Sequence, residues 1–146
     1  MTIDINEIKL GADRKGYDLF ISHSWEHNSD YDNLIELLND KNHFSYRNYS
    51  VTEKEKVEGK SDRALKRHIK NKQIKPASVV IVIAGMYSTY SDWIGKEVRI
   101  AEELNKPILS VKPWGAERTS YIEGKADATA GWNKSSIVQE IRDLAP

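Results

Sequence analysis

The run VVIVIAGM, residues 79–86, is the longest unbroken apolar stretch in the chain, and it restricts what the rest can build. It falls far short of the roughly 20 residues that a membrane-spanning helix needs. With Ser78 in front and Gly85 near its end, it reads instead as a strand apolar on both faces, the natural centre of a sheet that is covered on each side. A second run, Leu19 to Ile21 within YDLFIS, 17–22, has the same character and predicts another inner strand.

Around these two the pattern alternates. After YDLFIS comes the polar loop HSWEHN, then Tyr31, Leu34, Ile35 and Leu38 at helical spacing, with Ser29 and Asp32 placed as a capping box. A weaker strand, HFSYRNYS, 43–50, and the charged loop VTEKEKVEGK precede a helix, DRALKRHIKNKQI, that Ser61 can cap. Beyond the central strand lies a helix within 87–107, followed by the strand PILSVKP, a short strand somewhere in YIEGKADATAGW, and a closing helix from Ser135 to Leu144. Strands and helices in strict alternation predict an α/β fold, a five-stranded parallel sheet of flavodoxin-like order 2-1-3-4-5 with helices on both faces and right-handed crossovers. The first sixteen residues, with two glycines and weak periodicity, read as a loosely attached leader, which leaves 17–146 as one domain.

Composition narrows the partners. The 22 basic and 22 acidic side chains cancel, so bulk charge holds the chain neither to nucleic acid nor to an anionic membrane. The absence of cysteine excludes disulfides, thiolate-bound zinc and a cysteine nucleophile, and suits a reducing cytoplasm. No signal peptide or membrane span is legible, so a soluble cytoplasmic protein is expected.

The helix within 87–107 contains one anomaly. Advancing about 100° per residue from Trp93 puts Ile94, Val98, Ile100, Ala101 and Leu104 on an arc from about −20° to about 140°. Lys96, Arg99, Glu102 and Glu103 fall on the opposite side, yet Glu97 falls near 40°, inside the apolar arc. A carboxylate on a buried face is costly unless it is paired or opens onto a cavity. Two explanations stand: a structural partner such as a lysine or a backbone amide, or a ligand cleft bordered by this face of the helix.

The predicted topology favours the cleft, because ligands of such sheets bind beyond the carboxyl ends of the strands, where strand one separates from strand three. That places Ser22, His23, Ser24 and Trp25 after the first strand, Gly85, Met86, Tyr87 and Ser88 after the third, and Asn48 at one side of a common pocket, with Glu97 in the second turn of the adjoining helix. Several chemistries fail there on residue type. The strand ends ISHS and IAGM lack the acidic residues of a phosphoacceptor receiver, and SHSWEHNS has no glycine for a flavin phosphate loop. His23 and His27 have i, i+4 spacing but no evident third ligand, so no metal is expected. Ser22 and Ser24 lack an evident activating base, and strand-end serines more often bond backbone groups or ligand hydroxyls.

YDLFISHSWEHNSDYDNLIELL resembles the opening strand, loop and helix of TIR domains, and SDWIGKE is similar to their Ser-x-Trp-Cys-x-x-Glu motif, with Ser91, Trp93 and Glu97 aligned to it. SDRALKRHIK, VVIVIAGMYSTYSDWIGKE, KPILSVKPWG and GWNKSSIVQEIR further resemble the TIR-like proteins of bacteria and archaea related to ThsB of the Thoeris anti-phage system, from about Tyr17 to the end. The chain departs from the pattern at Ile94, where the motif has cysteine, at Gly95, and at His23, where tyrosine is often found.

The resemblance implies cleavage of NAD as substrate, with no further cofactor, nicotinamide release, a hydrolysed or cyclised ADP-ribose product, and Glu97 as the essential carboxylate. It also implies self-association and a nucleotide signal to an effector, and it leaves open a module that signals by assembly without turnover. Cleaving the bond from ribose to a pyridinium nitrogen builds an oxocarbenium-like centre while the leaving group departs neutral. One carboxylate can therefore suffice, and Trp25 and Trp93 are candidate surfaces for the nicotinamide or adenine ring, the plainer alternative for each being a core or boundary aromatic.

Overall fold

In the computed structural model, Val79–Ile83 forms a strand (β3) buried at every position, as its two-sided apolar character requires. The structure describes residues 16–22, 28–40, 44–50, 69–83, 91–112 and 125–146, with the backbone alone at 28–29, 69–70 and 91–94. The remaining described elements are β1 (Gly16–Ser22), α1 (Asn28–Asn39), β2 (Ser45–Asn48), a π-helical segment (Ile69–Ile74), α2 (Ser91–Glu103), β4 (Ile108–Lys112), β5 (Ala128–Gly131) and α3 (Lys134–Leu144).

All strand pairings are parallel and the sheet order is β2-β1-β3-β4-β5, the flavodoxin-like order that the sequence predicts. Successive strand residues point to opposite faces, and two contacts identify which helix covers which. Tyr17 of β1 stacks on Phe44 at 5.5 Å between ring centroids. The guanidinium of Arg142, in α3, lies 5.8 Å from the centre of that same Phe44 ring. Tyr17, Leu19 and Ile21 therefore face α3. Ser22, of opposite parity, bonds Glu97 in α2, so α2 and α3 cover opposite faces. The core fills both layers, with Leu34 and Leu38 from α1, Val98, Ile100 and Ala101 from α2, and Ile137, Val138 and Ile141 from α3 against the strands.

β2, one of the two edge strands, is shorter than its sequence suggests, because only four of its residues pair with β1. Arg47 and Asp18 stand directly opposite in the β1–β2 register, and Arg47 Nε donates to Asp18 Oδ1 at 2.6 Å while Nη2 donates to Oδ2 at 3.1 Å. This forked pair holds the arginine above its usual range.

Helix ends differ from the predicted ones for local reasons. α1 starts at Asn28, which puts Ser29 inside the first turn rather than at the cap. α3 starts at Lys134, one residue early, because the Asn133 side chain accepts from the Ser136 N–H at 3.0 Å. α2 stops in a Schellman turn: Asn105 takes φ 56°, its N–H donates to Glu102 C=O at 3.0 Å, and the Lys106 N–H donates to Ala101 C=O at 2.9 Å. Pro107 then enters β4, and its carbonyl accepts from Val80 N–H at 2.9 Å. The second predicted helix is described only over Ile69–Ile74, wound as a π-helix with Gln73 and Ile74 both turned inward; Ser61, Ala64, Leu65 and His68 lie outside the described residues. β1 begins at Gly16, and the rest of the predicted leader also lies outside them. Among the described residues, no helix is long and apolar enough to cross a membrane.

Candidate active site

Ser22 closes β1, the strand that lies between β2 and β3. It pairs in register with Val82, which pairs with Ser110, which pairs with Thr129, so one row of side chains crosses the sheet on the α2 face. α2 lies on this face, and its helical period carries Glu97 inward to Ser22, as the angular count predicts. Glu97 is 2% exposed and Ser22 is 1% exposed. The Ser22 hydroxyl donates to Glu97 Oε1, joining residues 75 positions apart in the chain.

The buried carboxylate thus has a structural partner, of a kind that the sequence does not suggest. Ser22 is neither lysine nor backbone amide; it is a neutral hydroxyl. Such a bond is charge-assisted and favours the ionised form, but it does not cancel a charge as a lysine would. A carboxylate fixed at the carboxyl edge of the central strands is able to act on a cationic centre brought to it.

The second polar feature of this edge comes from β2. Asn48, exposed at the strand's last position, donates from Nδ2 to the Tyr31 hydroxyl of α1 at 2.7 Å. Its Oδ1 accepts from the Ser50 N–H at 2.9 Å and from the Ser50 hydroxyl. Ser50 Oγ in turn accepts from the Ile21 N–H at 3.2 Å, and Tyr49 N–H donates to Leu19 C=O at 2.8 Å. This Asx turn folds the end of β2 around the end of β1 and fixes the backbone beside Ser22. Ser50 and Tyr31 were not among the expected site residues. The Asn-x-Ser spacing is the signal for the turn, whereas the tyrosine's part depends on tertiary packing.

Of the expected pocket residues, Ser22 and Glu97 meet, and Asn48 stands at the neighbouring strand end. His23, Ser24, Trp25, Gly85, Met86, Tyr87 and Ser88 lie outside the described residues, as does the side chain of Trp93, whose backbone forms the first turn of α2. Among the described residues no three metal-ligating side chains converge, and His23 and His27 lie outside them.

A cleft of about 530 Å³ at the opposite, amino-terminal edge of β4 is lined in part by Glu102, Asn105, Lys106, Lys125 and Asp127. Three of its polar side chains are engaged in structure: Lys125 pairs with Glu102 at 3.4 Å, and Asp127 Oδ2 accepts from Ile108 N–H at 2.8 Å. Position in the fold also disfavours it, since sheets of this order bind ligands at the other edge.

The family model described as Thoeris protein ThsB, TIR-like domain, matches residues 20–118. The match takes in Ser22, Asn48 and Glu97 and ends after β4. No curated protein matches the chain.

Proposed function

Since this chain belongs to the TIR-like family of the Thoeris protein ThsB, we propose that it cleaves NAD, releases nicotinamide, and forms an ADP-ribose-derived signal of the anti-phage response. The observation that carries this reading is the burial of Glu97 on the inner face of α2 beside the end of β1, where the Ser22 hydroxyl donates to its carboxylate. A buried carboxylate fixed by hydrogen bonding at the carboxyl edge of the sheet suits the stabilisation of a developing cation.

In the proposed reaction the bond from ribose C1′ to the pyridinium nitrogen breaks, and its electron pair leaves with nicotinamide, which departs neutral without needing a proton. Glu97 orients the ribose hydroxyls and stabilises the positive charge that develops on the ribose. Attack by water, with loss of one proton, gives ADP-ribose; attack by a nucleophile of the same molecule, again with loss of a proton, gives a cyclic product. Trp25 and Trp93 supply aromatic surface for the bases, and His23, Ser24, Asn48 and Tyr87 line the substrate. Self-association and an effector that reads the product complete the proposal, with the protein acting in the cytoplasm and without a further cofactor.

Purified protein incubated with NAD, alone and under conditions that promote assembly, should release nicotinamide in amounts matching an ADP-ribose species, and Glu97→Gln should not. Equal release by both proteins would sink the assignment of Glu97. Assembly without turnover in either would instead support a non-catalytic signalling module.

A further inference from the structure

We infer that Ser22 is a positioning residue that acts through Glu97, fixing the carboxylate for the reaction, rather than a residue that contacts the substrate. The inference rests on the reading of Glu97 as the essential carboxylate. Its first support is burial: with 1% of its surface exposed and its hydroxyl proton given to Glu97, Ser22 has little to offer a ligand. Its second is the rigidity of the donor. Ser22 sits in the hydrogen-bonded register of β1 against β3, and the residue before it is tied through its N–H to Ser50. A glutamate side chain has three rotatable bonds, and a bond to a fixed strand end limits the turning of its carboxylate relative to a bound ribose.

Ser110 provides an internal control. It is also a serine, lies in the same cross-sheet row and on the same α2 face, and is fully buried, yet its hydroxyl has no hydrogen-bond partner. Burial on this face of the sheet does not by itself give a serine a partner. The contact to Glu97 is particular to the strand end, where helix and sheet bring the two side chains together.

The test titrates the carboxyl carbon of Glu97 by NMR in glutamate-labelled protein, with its resonance identified by its loss in Glu97→Gln. Replacing the donor, in Ser22→Ala, should raise the Glu97 midpoint by about one pH unit, since a hydrogen bond to the charged form is lost. Ser22→Cys, with a weaker donor of similar size, should fall between, and it serves if the alanine variant does not fold. Ser110→Ala should leave the midpoint where it is. Lys96 and Arg99 on α2 and His23 beside Ser22 are the same in all variants, so the shift reports the hydroxyl. For nicotinamide release, Ser22→Ala should lower kcat about ten- to a hundredfold with KM for NAD little changed.

An unmoved midpoint in Ser22→Ala and Ser22→Cys overturns the inference, as does a rise in KM with kcat intact, which would make Ser22 a substrate contact. Wild-type turnover in Glu97→Gln overturns the reading of Glu97 as the essential carboxylate instead. That failure is distinguishable because it leaves the midpoint shift in place.

Discussion

The hydroxyl of Ser22, at the end of β1, donates to the carboxylate of Glu97, in the second turn of α2. Because the donor is a neutral hydroxyl, Glu97→Gln still offers it an amide oxygen and no longer buries a charge. We expect the substitution to change unfolding free energy by less than about 1 kcal/mol, whereas breaking a buried ion pair would cost about 3–5 kcal/mol. Nicotinamide release should be abolished in the same protein. Denaturant unfolding with product analysis on one sample checks both, and severe destabilisation would point to a structural acid.

Ser110 should show the opposite relation between polarity and stability. Its hydroxyl is buried in the sheet without a hydrogen-bond partner, a cost that no contact returns. Ser110→Ala removes the unsatisfied group at the loss of one atom's packing, and we expect stability to rise by about 1 kcal/mol. Urea unfolding at equal slope would show the gain as a later midpoint, and a loss of stability would mean that the hydroxyl is satisfied in solution.

Much of this architecture is legible in the sequence because it depends on period and length. Val79–Ile83 could only be a two-sided strand, and the angular position of Glu97 follows from counting residues. Asn48 was legible as a strand end but not as the acceptor of an Asx turn, since that needs the chain to bend back on Ile21. Ser22 was harder still: a serine after an apolar run reads alike whether it bonds its own backbone, a ligand, or a helix 75 residues away. Helix boundaries slipped where a competing cap won, as at Asn133, which begins α3 one residue before the expected start. Ile94, where the motif has cysteine, lies in the first turn of α2.

Asp40 and Lys134 join the end of α1 to the start of α3, and the lysine holds the carboxyl below its ordinary range, by hydrogen bond first and by charge second. A depressed carboxylate contributes stability that is present above its unfolded pKa and is lost as pH falls through the folded one. Both side chains are well exposed, so the contribution is small and screened by salt. We expect Asp40→Asn to lower the melting temperature slightly at neutral pH in dilute buffer. The difference should vanish when the pH drops below the carboxylate range, and also in roughly 1 M salt. A difference that persists in acid would assign it to something other than the ion pair.

Asn48 allows its two roles, holding the turn and lining the substrate, to be separated by paired substitutions. Asn48→Ala removes the acceptor used by the Ser50 N–H and the donor used by Tyr31, loosening the turn that grips Ile21. An exposed turn of this kind should lose about 1 kcal/mol. Asn48→Asp keeps the acceptor, and the Tyr31 hydroxyl, which accepts from Asn48 now, can turn to donate. Stability should then stay within about 0.5 kcal/mol of wild type. If Asn48 lines the NAD site, the new negative charge repels the pyrophosphate, so Asn48→Asp should raise KM for NAD several-fold with kcat largely kept, despite a fold as stable as wild type. Thermal unfolding and NAD kinetics on the two variants decide the matter: an unchanged KM in Asn48→Asp would confine Asn48 to the turn.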